Sequence, residues 1–461
     1  MKQEDLQGID AALAAALPPG ALYTVGGRVR DEVRSAVDGV PHEVKDVDYV
    51  AVGLTLDELL PRLRALGRSE LVGARFAVVK VTLEGTTVDV ALPRTERSTG
   101  VGHREFDVHA GADVTLEDDL ARRDFRMNML ARALPDGTLV DPYGGEADIR
   151  AHRIDVLRAE AFAEDPLRML RACQFAARLE YRISEATMAA MREAAPLVAT
   201  VSAERVRDEL VKMLSARRPS IGFEAMREGG VLAIVLPELL AGFGVEQNEW
   251  HAYDVYHHTL ATVDAAPADT LTVRLAALFH DIAKPQTKDG PHFYRHEIVG
   301  EEIARTVLSR LRFSNDQVED VAALVRHHMY VADPEMGEKA IRRLIRRVGT
   351  ERLTELFALR AADIAGSGLP KRDDHNERFQ ERVSDVVASK PPFSVRDLAI
   401  GGDDVVAMLI AKGKLPGGSR GGPAVGAILG ELLEWVLDDP TRNEHAHLLR
   451  RAHELAAENP G

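Results

Sequence analysis

The chain has 461 residues, of which 45% are hydrophobic, so it is long enough for about two to four domains with a sizeable core. Its formal net charge of -15 argues against a protein that coats nucleic acid with its whole surface, but allows a local basic groove. A single cysteine, Cys173, excludes an internal disulfide bond and indicates a reducing compartment such as the cytoplasm. No apolar run is long enough to span a membrane, and the polar segment Met1–Asp10 differs from a secretory signal.

The first part of the chain alternates short helix and strand patterns. An Ala-rich helix within residues 1–20 is predicted to lead to a strand at Leu22–Val25, a tight turn at Gly26-Gly27, a helix at Arg28–Val37 and a strand at Lys45–Val52. The apolar spacing then predicts a helix and two paired strands at Thr55–Leu66, Phe76–Leu83 and Thr87–Leu92.

Two acidic residues on the second predicted strand indicate metal-assisted chemistry. Because residues two apart on a strand face the same side, Asp46 and Asp48 converge on one point. Gly27 lets a phosphate approach the backbone, and the N-terminus of the following helix favours anions. Carboxylates beside a phosphate site match nucleotidyl transfer assisted by two Mg²⁺ ions. Asp89 is either a third carboxylate of this site or an exposed strand residue.

A basic, glycine-containing stretch at Arg94–Gly111 interrupts the pattern. Its broken periodicity predicts a mobile loop, with an ordinary long surface connection as the alternative. A helix is then predicted from Asp118 to Asn128. On it, Arg123, Asp124 and Asn128 are candidates to contact the phosphate, the ribose hydroxyl and the sugar of a nucleotide.

From Ala151 onward the pattern is helical, after a turn at Asp141–Gly145 that closes the first domain. The segment Glu164–Phe175 has acidic residues and a proline at its start, as a helix N-terminus does. Asp165 and Arg168 are three residues apart and share a face of this helix. Taken alone, the pair is better explained as a simple ion pair at a helix start than as a functional pair.

Six motifs occur together in an order that is typical of one family. They are Gly26-Gly27-x-Val29-Arg30-Asp31, Asp46-x-Asp48, Arg122-Arg123-Asp124-Phe125-x-x-Asn128, Asp141-Pro142-Tyr143-Gly144-Gly145, Glu164-Asp165-Pro166-Leu167-Arg168-x-Leu170-Arg171 and Ala203-Glu204-Arg205-Val206-x-x-Glu209-Leu210-x-Lys212. Across residues 20–215 the chain thereby resembles the class II tRNA nucleotidyltransferases, which are the CCA-adding enzymes, and their bacterial poly(A) polymerase relatives.

The resemblance implies a role for each matched residue. It implies that Asp46 and Asp48 are catalytic Mg²⁺ ligands, and that the nucleotide is bound by Gly27, Arg30, Arg123, Asp124, Asn128, Asp165, Arg168 and Arg171. It also implies that Asp165 and Arg168 select the base without a nucleic-acid template. Cytosine and adenine each offer an exocyclic amino donor next to a ring-nitrogen acceptor, which an Asp acceptor beside an Arg donor matches. Uracil and guanine would leave these polar groups unpaired.

Three features bear on which nucleotides are added. Gln174 stands where the family usually has Arg, which leaves open an enzyme that adds only CC or only A. The loop at Arg94–Asp107 favours complete CCA addition, since enzymes that add only C tend to lack it. A poly(A) polymerase is the nearest alternative, but Gly73-Ala74-Arg75-Phe76 lacks one basic residue of that group's signature.

A second constellation, of histidine and aspartate, follows in the second half of the chain. Histidine is the commonest transition-metal ligand, and an adjacent His-Asp pair adds nitrogen and oxygen ligands. The stretches are His257-His258-Thr259-Leu260, Phe279–Lys284, His296-Glu297, Arg326-His327-His328 and Ala362-Asp363. They resemble the HD phosphohydrolase domain, which implies that a transition-metal ion is held by His258, His280, Asp281, His328 and Asp363, with His296 as a contact to a second metal or to phosphate.

Together the resemblances imply an α+β chain in which a small mixed-sheet nucleotidyltransferase head is followed by an all-helical neck, body and HD domain. The implied ranges are 1–150 for the head, 151–250 for the neck and body with nucleotide selection and RNA binding, 251–370 for the HD domain and 371–461 for a helical tail. Basic pairs at Arg342-Arg343 and Arg346-Arg347 are candidates to contact RNA phosphates, with a solvated charged face as the alternative.

The sequence therefore predicts a cytoplasmic enzyme that builds or repairs the 3′ CCA end of tRNA from CTP and ATP, with no membrane partner. The HD domain would add phosphatase or phosphodiesterase activity, although some such domains serve structure alone. An alternative of another class is a metal phosphohydrolase whose head only binds RNA. The intact pair Asp46 and Asp48 argues against that alternative.

Overall fold

The computed structural model describes residues 3–39, 41, 47–72, 77–83, 85–98, 106–370 and 373–458, with the backbone alone at 3–5, 96–98 and 106–107. The chain forms two compact units, Met1–Phe243 with Val307–Phe313, and Gly244–Thr306 with Ser314–Gly461. The finer division into four domains stays a prediction.

The first unit begins with a seven-stranded mixed sheet. The elements of this part are α1 (Gln3–Ala16), β1 (Leu22–Val25), α2 (Gly27–Asp38), β2 (Asp48–Ala51), α3 (Leu56–Leu66), β3 (Arg68–Val72), β4 (Val78–Leu83), β5 (Thr86–Ala91), β6 (Arg94–Ser98), β7 (Phe106–Ala110), α4 (Leu116–Ala121), a 3-10 turn (Arg126–Asn128), β8 (Ala131–Ala133), β9 (Leu139–Val140) and α5 (Gly145–Arg150). The strand order is β3-β4-β5-β2-β1-β8-β9. Within it β2 and β5 run parallel, and the other neighbours are antiparallel.

Apolar side chains cover both faces of this sheet. Tyr49 and Ala51 on β2 point into a core that includes Leu13 of α1 and Leu59 of α3. Val50, between them, belongs to a second core on the opposite face. Since successive strand residues alternate in direction, the three consecutive apolar residues of β2 are buried on both faces of the sheet. The small mixed-sheet head predicted from the sequence is confirmed.

The prediction of an irregular loop at Arg94–Gly111 is wrong for its two arms, Arg94–Ser98 and Phe106–Ala110, which are strands. There β6 and β7 form an antiparallel hairpin, with a register that runs from Arg94 opposite Ala110 to Ser98 opposite Phe106. Backbone hydrogen bonding between the arms outweighs the lack of apolar alternation that predicted a loop. The tip of this hairpin, residues 99–105, lies outside the described residues.

Two further expectations about this part need correction. The strand β3 was not predicted, because most of its side chains are exposed and an edge strand of this kind lacks apolar alternation. The helix predicted from Asp118 to Asn128 is instead α4, which begins at Leu116, followed by the 3-10 turn. A capping box between Thr115 and Asp118 fixes the start of α4.

The rest of the first unit is mainly helical. Its elements are β10 (Arg153–Ile154), α6 (Ala161–Glu164), α7 (Leu167–Leu179), β11 (Arg182–Ile183), α8 (Glu185–Ala194), a 3-10 helix (Ala195–Thr200), α9 (Ala203–Leu214), α10 (Pro219–Glu228), α11 (Leu232–Val235) and α12 (Pro237–Leu240). The prediction of helix alone is wrong for β10 and β11, which pair in parallel. The helix α7 is central, because it packs against both α9 and α10 and is buried at most positions.

The second unit is built on helices. Its elements are α13 (Val255–Ala265), α14 (Leu271–Phe279), α15 (Lys284–Thr287), β12 (Lys288–Asp289), β13 (His292–Phe293), α16 (His296–Arg310), α17 (Asn315–His327), α18 (Glu338–Val348), α19 (Leu353–Gly366), α20 (His375–Ala388), α21 (Gly402–Ala411), α22 (Pro423–Asp438) and α23 (His445–Glu458), with 3-10 turns at Thr350–Arg352, Val395–Asp397 and Pro440–Arg442. The end of α16, from Val307, belongs to the first unit. Packing among α13, α14 and α19 forms its centre, while α21, α22 and α23 share a separate apolar core. Within the described ranges, none of the helices has both the length and the hydrophobicity needed to cross a membrane.

One arginine of the basic helix α18 makes buried contacts within the protein. Arg342, a candidate RNA contact, is 6% exposed and donates hydrogen bonds to the carbonyl oxygens of Leu437 (2.7 Å) and Asp438 (3.2 Å). These carbonyls lie at the C-terminal end of α22, where no further helical turn satisfies them. The RNA-contact prediction is therefore wrong for Arg342, while Arg343, Arg346 and Arg347 are exposed.

We expect Arg342→Ala to lower the free energy of unfolding of the second unit by about 1.5 to 3 kcal/mol, because a charged donor is removed from buried carbonyl groups. Urea unfolding of a Trp250→Phe background measures this through the fluorescence of Trp435, which lies on α22. The matched control is Arg343→Ala, which removes surface ion pairs to Asp438 and Glu434 and should cost less than about 1 kcal/mol. Equal losses in the two variants would contradict the capping role.

Candidate active sites in the two units

A glycine turn joins β1 to α2 in the first unit. Gly26 has φ 72°, a conformation that favours glycine. A Cβ atom at Gly26 would lie only 2.7 Å from Nη1 of Arg123, so the arginine packs directly over the turn. Asp119 holds that guanidinium with an Oδ2–Nη2 distance of 3.2 Å. The turn, the N-terminus of α2 and Arg123 together place backbone N–H groups and a positive charge where a phosphate group could bind.

Carboxylates lie beside this turn. Asp48 begins β2 and is paired in register with Val25, the residue before Gly26. On the other side of β2, Asp48 is in register with Asp89 of the parallel strand β5. Neighbouring residues in register share a face of the sheet, so the geometry favours Asp89 as a third carboxylate of the site. Asp89 also lies 3.6 Å from Nζ of Lys80.

Asp46, the partner expected for Asp48, lies outside the described residues. Asp48 itself is exposed at the start of its strand. Carboxylate oxygens are the ligands that Mg²⁺ prefers, so Asp48 and Asp89 fit a site for that ion. The assignment of Asp46 and Asp48 as metal ligands stays a prediction.

A hydrogen-bonded chain links four of the predicted nucleotide contacts to each other. Arg30 donates to Oδ1 of Asn128 (2.8 Å), and Nδ2 of Asn128 donates to Oδ1 of Asp124 (2.8 Å). Oδ2 of Asp124 accepts from Nε and Nη2 of Arg171 at 2.8 and 2.6 Å. Burial alone would raise the pKa of the Asp124 carboxyl, but Arg171 and Asn128 outweigh it and hold the pKa below its usual value.

The helix α7 supplies the aromatic partner of this chain. The ring of Phe175 contacts two guanidinium groups, with its centroid 5.1 Å from Cζ of Arg30 and 5.5 Å from Cζ of Arg171. The neighbouring Gln174, which stands where the family usually has Arg, is 4% exposed. Arg30, Asp124, Asn128 and Arg171 are thus brought together, and their side chains bind one another in this structure.

The base-selecting pair is arranged differently from a simple ion pair. Asp165 precedes α7, and both of its oxygens lie within hydrogen-bond reach of Nη2 of Arg205 on α9, at 3.4 and 3.2 Å. Arg168 donates from Nη2 to the carbonyl oxygen of Arg122 at 2.6 Å. Arg205 belongs to the motif at Ala203–Lys212, but the sequence indicates no role for it in base selection. Its spacing from Asp165, forty positions along the chain, carries no periodic signal.

In the second unit, histidine and aspartate converge from separate helices as predicted. His258 lies on α13, His280 follows α14 and Asp363 lies on α19. Nε2 of His258 is 3.1 Å from Oδ1 of Asp363, and Nε2 of His280 is 3.2 Å from Oδ2 of Asp281. These groups are buried or nearly so, and they are the nitrogen and oxygen ligands that divalent transition metals take.

His296 and His328 approach the same aspartate from its other side. Their Nε2 atoms lie 3.4 and 3.8 Å from Oδ1 of Asp281. His328 therefore groups with His296 and Asp281, and a separate group contains His258, His280 and Asp363. His251 also approaches His258 and Asp281. The sequence analysis missed it, because it precedes α13 and belongs to no recognisable motif.

Neighbouring charges set the protonation of these histidines. Burial lowers the pKa of His280, but Asp281 and Asp363 outweigh it and raise the pKa to about 10. Burial and the nearby His280 lower the pKa of His328 to about 3. Burial likewise lowers the pKa of His251 to about 4. The cluster is therefore electrostatically asymmetric, with positive charge held beside the two aspartates.

A cavity of about 470 Å³ opens onto this cluster. Asp281, His296 and His328 line it, together with the cationic side chains Lys284 and Arg360. Its further lining includes Trp250, Phe293 and Met329. The volume and the mixed apolar and cationic lining suit an organic phosphate.

Three family models match successive parts of the chain. Residues 22–155 match the family model of the poly A polymerase head domain, residues 180–243 that of a probable RNA- and SrmB-binding site of polymerase A, and residues 251–365 that of the HD domain. The multifunctional CCA protein of Aromatoleum aromaticum is 40% identical over 349 residues, covering 73% of this chain and 82% of the relative. The one from Azoarcus sp. is 40% identical over 369 residues, covering 77% and 85%.

Solved structures share the fold. The Bacillus stearothermophilus CCA-adding enzyme in complex with CTP superposes with a TM-score of 0.72 at 25% identity, covering 99% of each chain. The Thermotoga maritima CCA-adding enzyme complexed with tRNA has a TM-score of 0.55 at 20% identity, covering 99% of this chain and 96% of that one. At 20% identity, the similarity to the Thermotoga maritima enzyme shows a shared fold only.

We expect Asp124→Ala to lower the free energy of unfolding by about 2 to 3 kcal/mol at pH 7, because Arg171 loses its buried partner. The folded-state pKa of Asp124 is depressed, so its stabilisation is present above the unfolded-state pKa of about 3.9 and is lost as the pH falls further. Urea unfolding monitored by circular dichroism at pH 7 and pH 3.5 measures both effects. Glu117→Ala, on the exposed side of α4, is the control and should cost less than about 1 kcal/mol. A loss for Asp124→Ala no larger than that of the control would contradict the role of the buried pair.

Proposed function

The chain belongs to the multifunctional CCA protein family, and on that premise we propose that it adds or repairs the 3′-terminal CCA of tRNA, using CTP and ATP. The observation that carries this proposal is the register of β1, β2 and β5, which sets Asp48 beside both Asp89 and the glycine turn. A phosphate-binding turn next to carboxylates is the arrangement that nucleotidyl transfer requires.

The head binds and orients the reacting groups. Gly26, Gly27 and Arg123 receive the triphosphate. Asp46 and Asp48 would hold Mg²⁺, which would polarise the phosphate and lower the pKa of the attacking hydroxyl. The 3′ oxygen of tRNA forms a bond to the α-phosphorus, the bond to the bridging oxygen breaks, and pyrophosphate leaves. The hydroxyl proton passes to solvent, and no covalent enzyme intermediate forms.

Base selection belongs to the neck. Asp165 accepts from the exocyclic amino group of cytosine or adenine, and Arg168 donates to the adjacent ring nitrogen. Arg205 is a positioning residue, because its contact with both oxygens of Asp165 holds that carboxylate in place. When a nucleotide binds, each of four side chains either keeps its internal partner or exchanges it for the nucleotide. These side chains are Arg30, Asp124, Asn128 and Arg171.

The cluster in the second unit supports a second activity, hydrolysis of phosphate esters at a transition-metal centre. His258, His280, Asp281, His328 and Asp363 supply the nitrogen and oxygen ligands. Lys284 and Arg360 line the adjoining cavity and would bind the phosphate. A metal phosphohydrolase without transfer activity is less well supported, since Asp48, Asp89 and the glycine turn would then have no function.

The remaining assignments are proposals of the same kind. The head, the neck and body, the HD domain and the tail occupy 1–150, 151–250, 251–370 and 371–461. We place the protein in the cytoplasm, where tRNA is processed, and the lone buried thiol of Cys173 is compatible with a reducing compartment.

We expect Asp48→Ala to reduce nucleotide addition by about a thousandfold, since a lost metal ligand forfeits several kcal/mol of transition-state stabilisation. Primer extension measures this on tRNA transcripts that end before CCA, after C and after CC, with each nucleotide alone and with CTP plus ATP. Asp57→Ala, an exposed carboxylate on α3, is the matched control and should retain full activity.

Each product pattern decides between the alternatives. Complete CCA on all three transcripts supports the proposal. Addition of CC alone, or of A alone to the transcript that ends in CC, would identify a partial enzyme. Long A tracts on unrelated RNA would identify a poly(A) polymerase and overturn the tRNA assignment.

We expect Arg205→Ala to lower discrimination against UTP and GTP by about 10- to 100-fold, which corresponds to one charged hydrogen bond of about 1.5 to 3 kcal/mol. Single-nucleotide incorporation gives kcat and KM for matched and mismatched nucleotides. Arg207→Ala on the same helix is the control, since Arg207 contacts Asp208 and the carbonyl of Arg312 instead. Arg205→Lys should restore part of the discrimination. An equal fall in activity with all four nucleotides would show that Arg205 has a structural role only.

A further inference from the structure

The carboxylate of Asp10, on α1, binds two side chains of the head at once. Its Oδ2 accepts a hydrogen bond from Nη2 of Arg28 at 2.6 Å, and its Oδ1 accepts one from Nη1 of Arg28 at 2.9 Å. The same Oδ1 accepts a hydrogen bond from the hydroxyl group of Tyr49 at 2.6 Å. Two parallel hydrogen bonds between a guanidinium and a carboxylate fix the orientation of both groups.

Both partners of Asp10 stand next to a residue of the proposed transfer site. Arg28 follows Gly27 at the start of α2, and Tyr49 follows Asp48 at the start of β2. One carboxylate is therefore hydrogen-bonded to the residue after the glycine turn and to the residue after the proposed Mg²⁺ ligand. A shift of this carboxylate would move the two parts of the site relative to each other.

The contact lies on the face of the sheet that is opposite to Asp48. Successive residues of a strand point to opposite faces, so the side chains of Tyr49 and Asp48 point in opposite directions. Tyr49 is 1% exposed and belongs to the core that includes Leu13 of α1. Asp10 therefore acts on the site through its two partners, and not by contact with a nucleotide.

These three polar groups are largely removed from water. The side chains of Arg28 and Asp10 are 9% and 14% exposed. Burial raises the pKa of the Tyr49 hydroxyl, and the hydrogen bond to Asp10 raises it further, so Tyr49 remains a neutral donor at neutral pH. Because the surroundings have a low dielectric constant, the hydrogen bonds of this network are strong and the loss of one member leaves the others unpaired.

We propose that Asp10 is a positioning residue for nucleotidyl transfer, which holds the glycine turn and Asp48 in a fixed relation from behind the sheet. This inference rests on the proposed function and goes beyond it, because α1 precedes residues 22–155, the part that matches the head-domain model. None of the six motifs includes Asp10. A carboxylate from outside the matched stretch thus sets the distance between the triphosphate and the metal, on which in-line transfer depends.

Steady-state addition of CTP by the full chain, on a tRNA transcript that ends before CCA, tests the proposal. We expect Asp10→Asn to lower kcat/KM by about 10- to 100-fold, because a small misplacement of reacting groups has an effect of that size. Asp10→Glu should restore part of the loss. The two contacts should separate, since Tyr49→Phe should raise the Mg²⁺ concentration that gives half the maximal rate, whereas Arg28→Lys should raise the KM for CTP. Lysine keeps the positive charge but lacks the two parallel hydrogen bonds.

The matched control is Leu13→Ala, which removes a buried apolar side chain from the same helix and leaves the hydrogen bonds of Asp10 in place. It should lower the free energy of unfolding but keep kcat and KM. Ile9→Val is the milder control if Leu13→Ala does not fold.

The outcomes separate this inference from the proposed function. An equal loss of kcat/KM in the control, or unchanged kinetics in folded Asp10→Asn, would overturn the positioning role and leave the proposed function intact. No transfer by the unaltered chain would overturn both. Circular dichroism confirms that each variant is folded. If Asp10→Asn does not fold, Tyr49→Phe decides, and an unchanged Mg²⁺ requirement in that variant would overturn the inference.

Discussion

The buried carboxylate of Asp124 is the interaction on which the first unit depends. It joins Asn128 of the 3-10 turn to Arg171 of α7, and through Asn128 it reaches Arg30 of α2. A charge in this position is costly unless it is paired on every side. The pairing groups come from three separate elements. The network therefore fixes the position of the glycine turn relative to α7, the helix that follows Asp165. Binding and selection of a nucleotide need both parts in a fixed relation.

Two arginines of this network have both a structural role and a predicted role in nucleotide binding. Arg30 and Arg171 were expected to bind a nucleotide, and both bind internal partners and the ring of Phe175. A phosphate that reached them would add charged hydrogen bonds to groups that are already oriented. This is preorganisation, since the side chains lose little further freedom when the ligand binds.

The second unit solves the problem of buried charge in another way. Its aspartates, Asp281 and Asp363, lie among histidines whose Nδ1 atoms are directed at backbone carbonyls. The same aspartates also pair with cationic side chains, Asp281 with Lys284 at 2.6 Å and Asp363 with Arg360 at 3.0 Å. In the first unit, opposite protein charges neutralise each other. In the second, histidine nitrogens join the cationic side chains around the aspartates, and these are donor types that divalent transition metals take.

Many features could be predicted from the sequence, because they are local. The strands β1, β4 and β5, the helices α2 and α3 and the glycine turn follow from apolar spacing and turn chemistry over a few residues. The motifs likewise identified the family and most of the His and Asp residues that cluster in the second unit.

Contacts between distant residues were decided by the tertiary structure alone. The register of Asp48 with Asp89, the hold of Arg205 on Asp165, the capping of α22 by Arg342 and the two-sided position of Asp281 each join segments with no shared local pattern. The hairpin of β6 and β7 was missed for the same reason. The backbone hydrogen bonds of a strand are made to a partner strand, and not to the residue's own neighbours along the chain. Local propensity determines which elements form, whereas packing and electrostatic pairing determine which side chains meet.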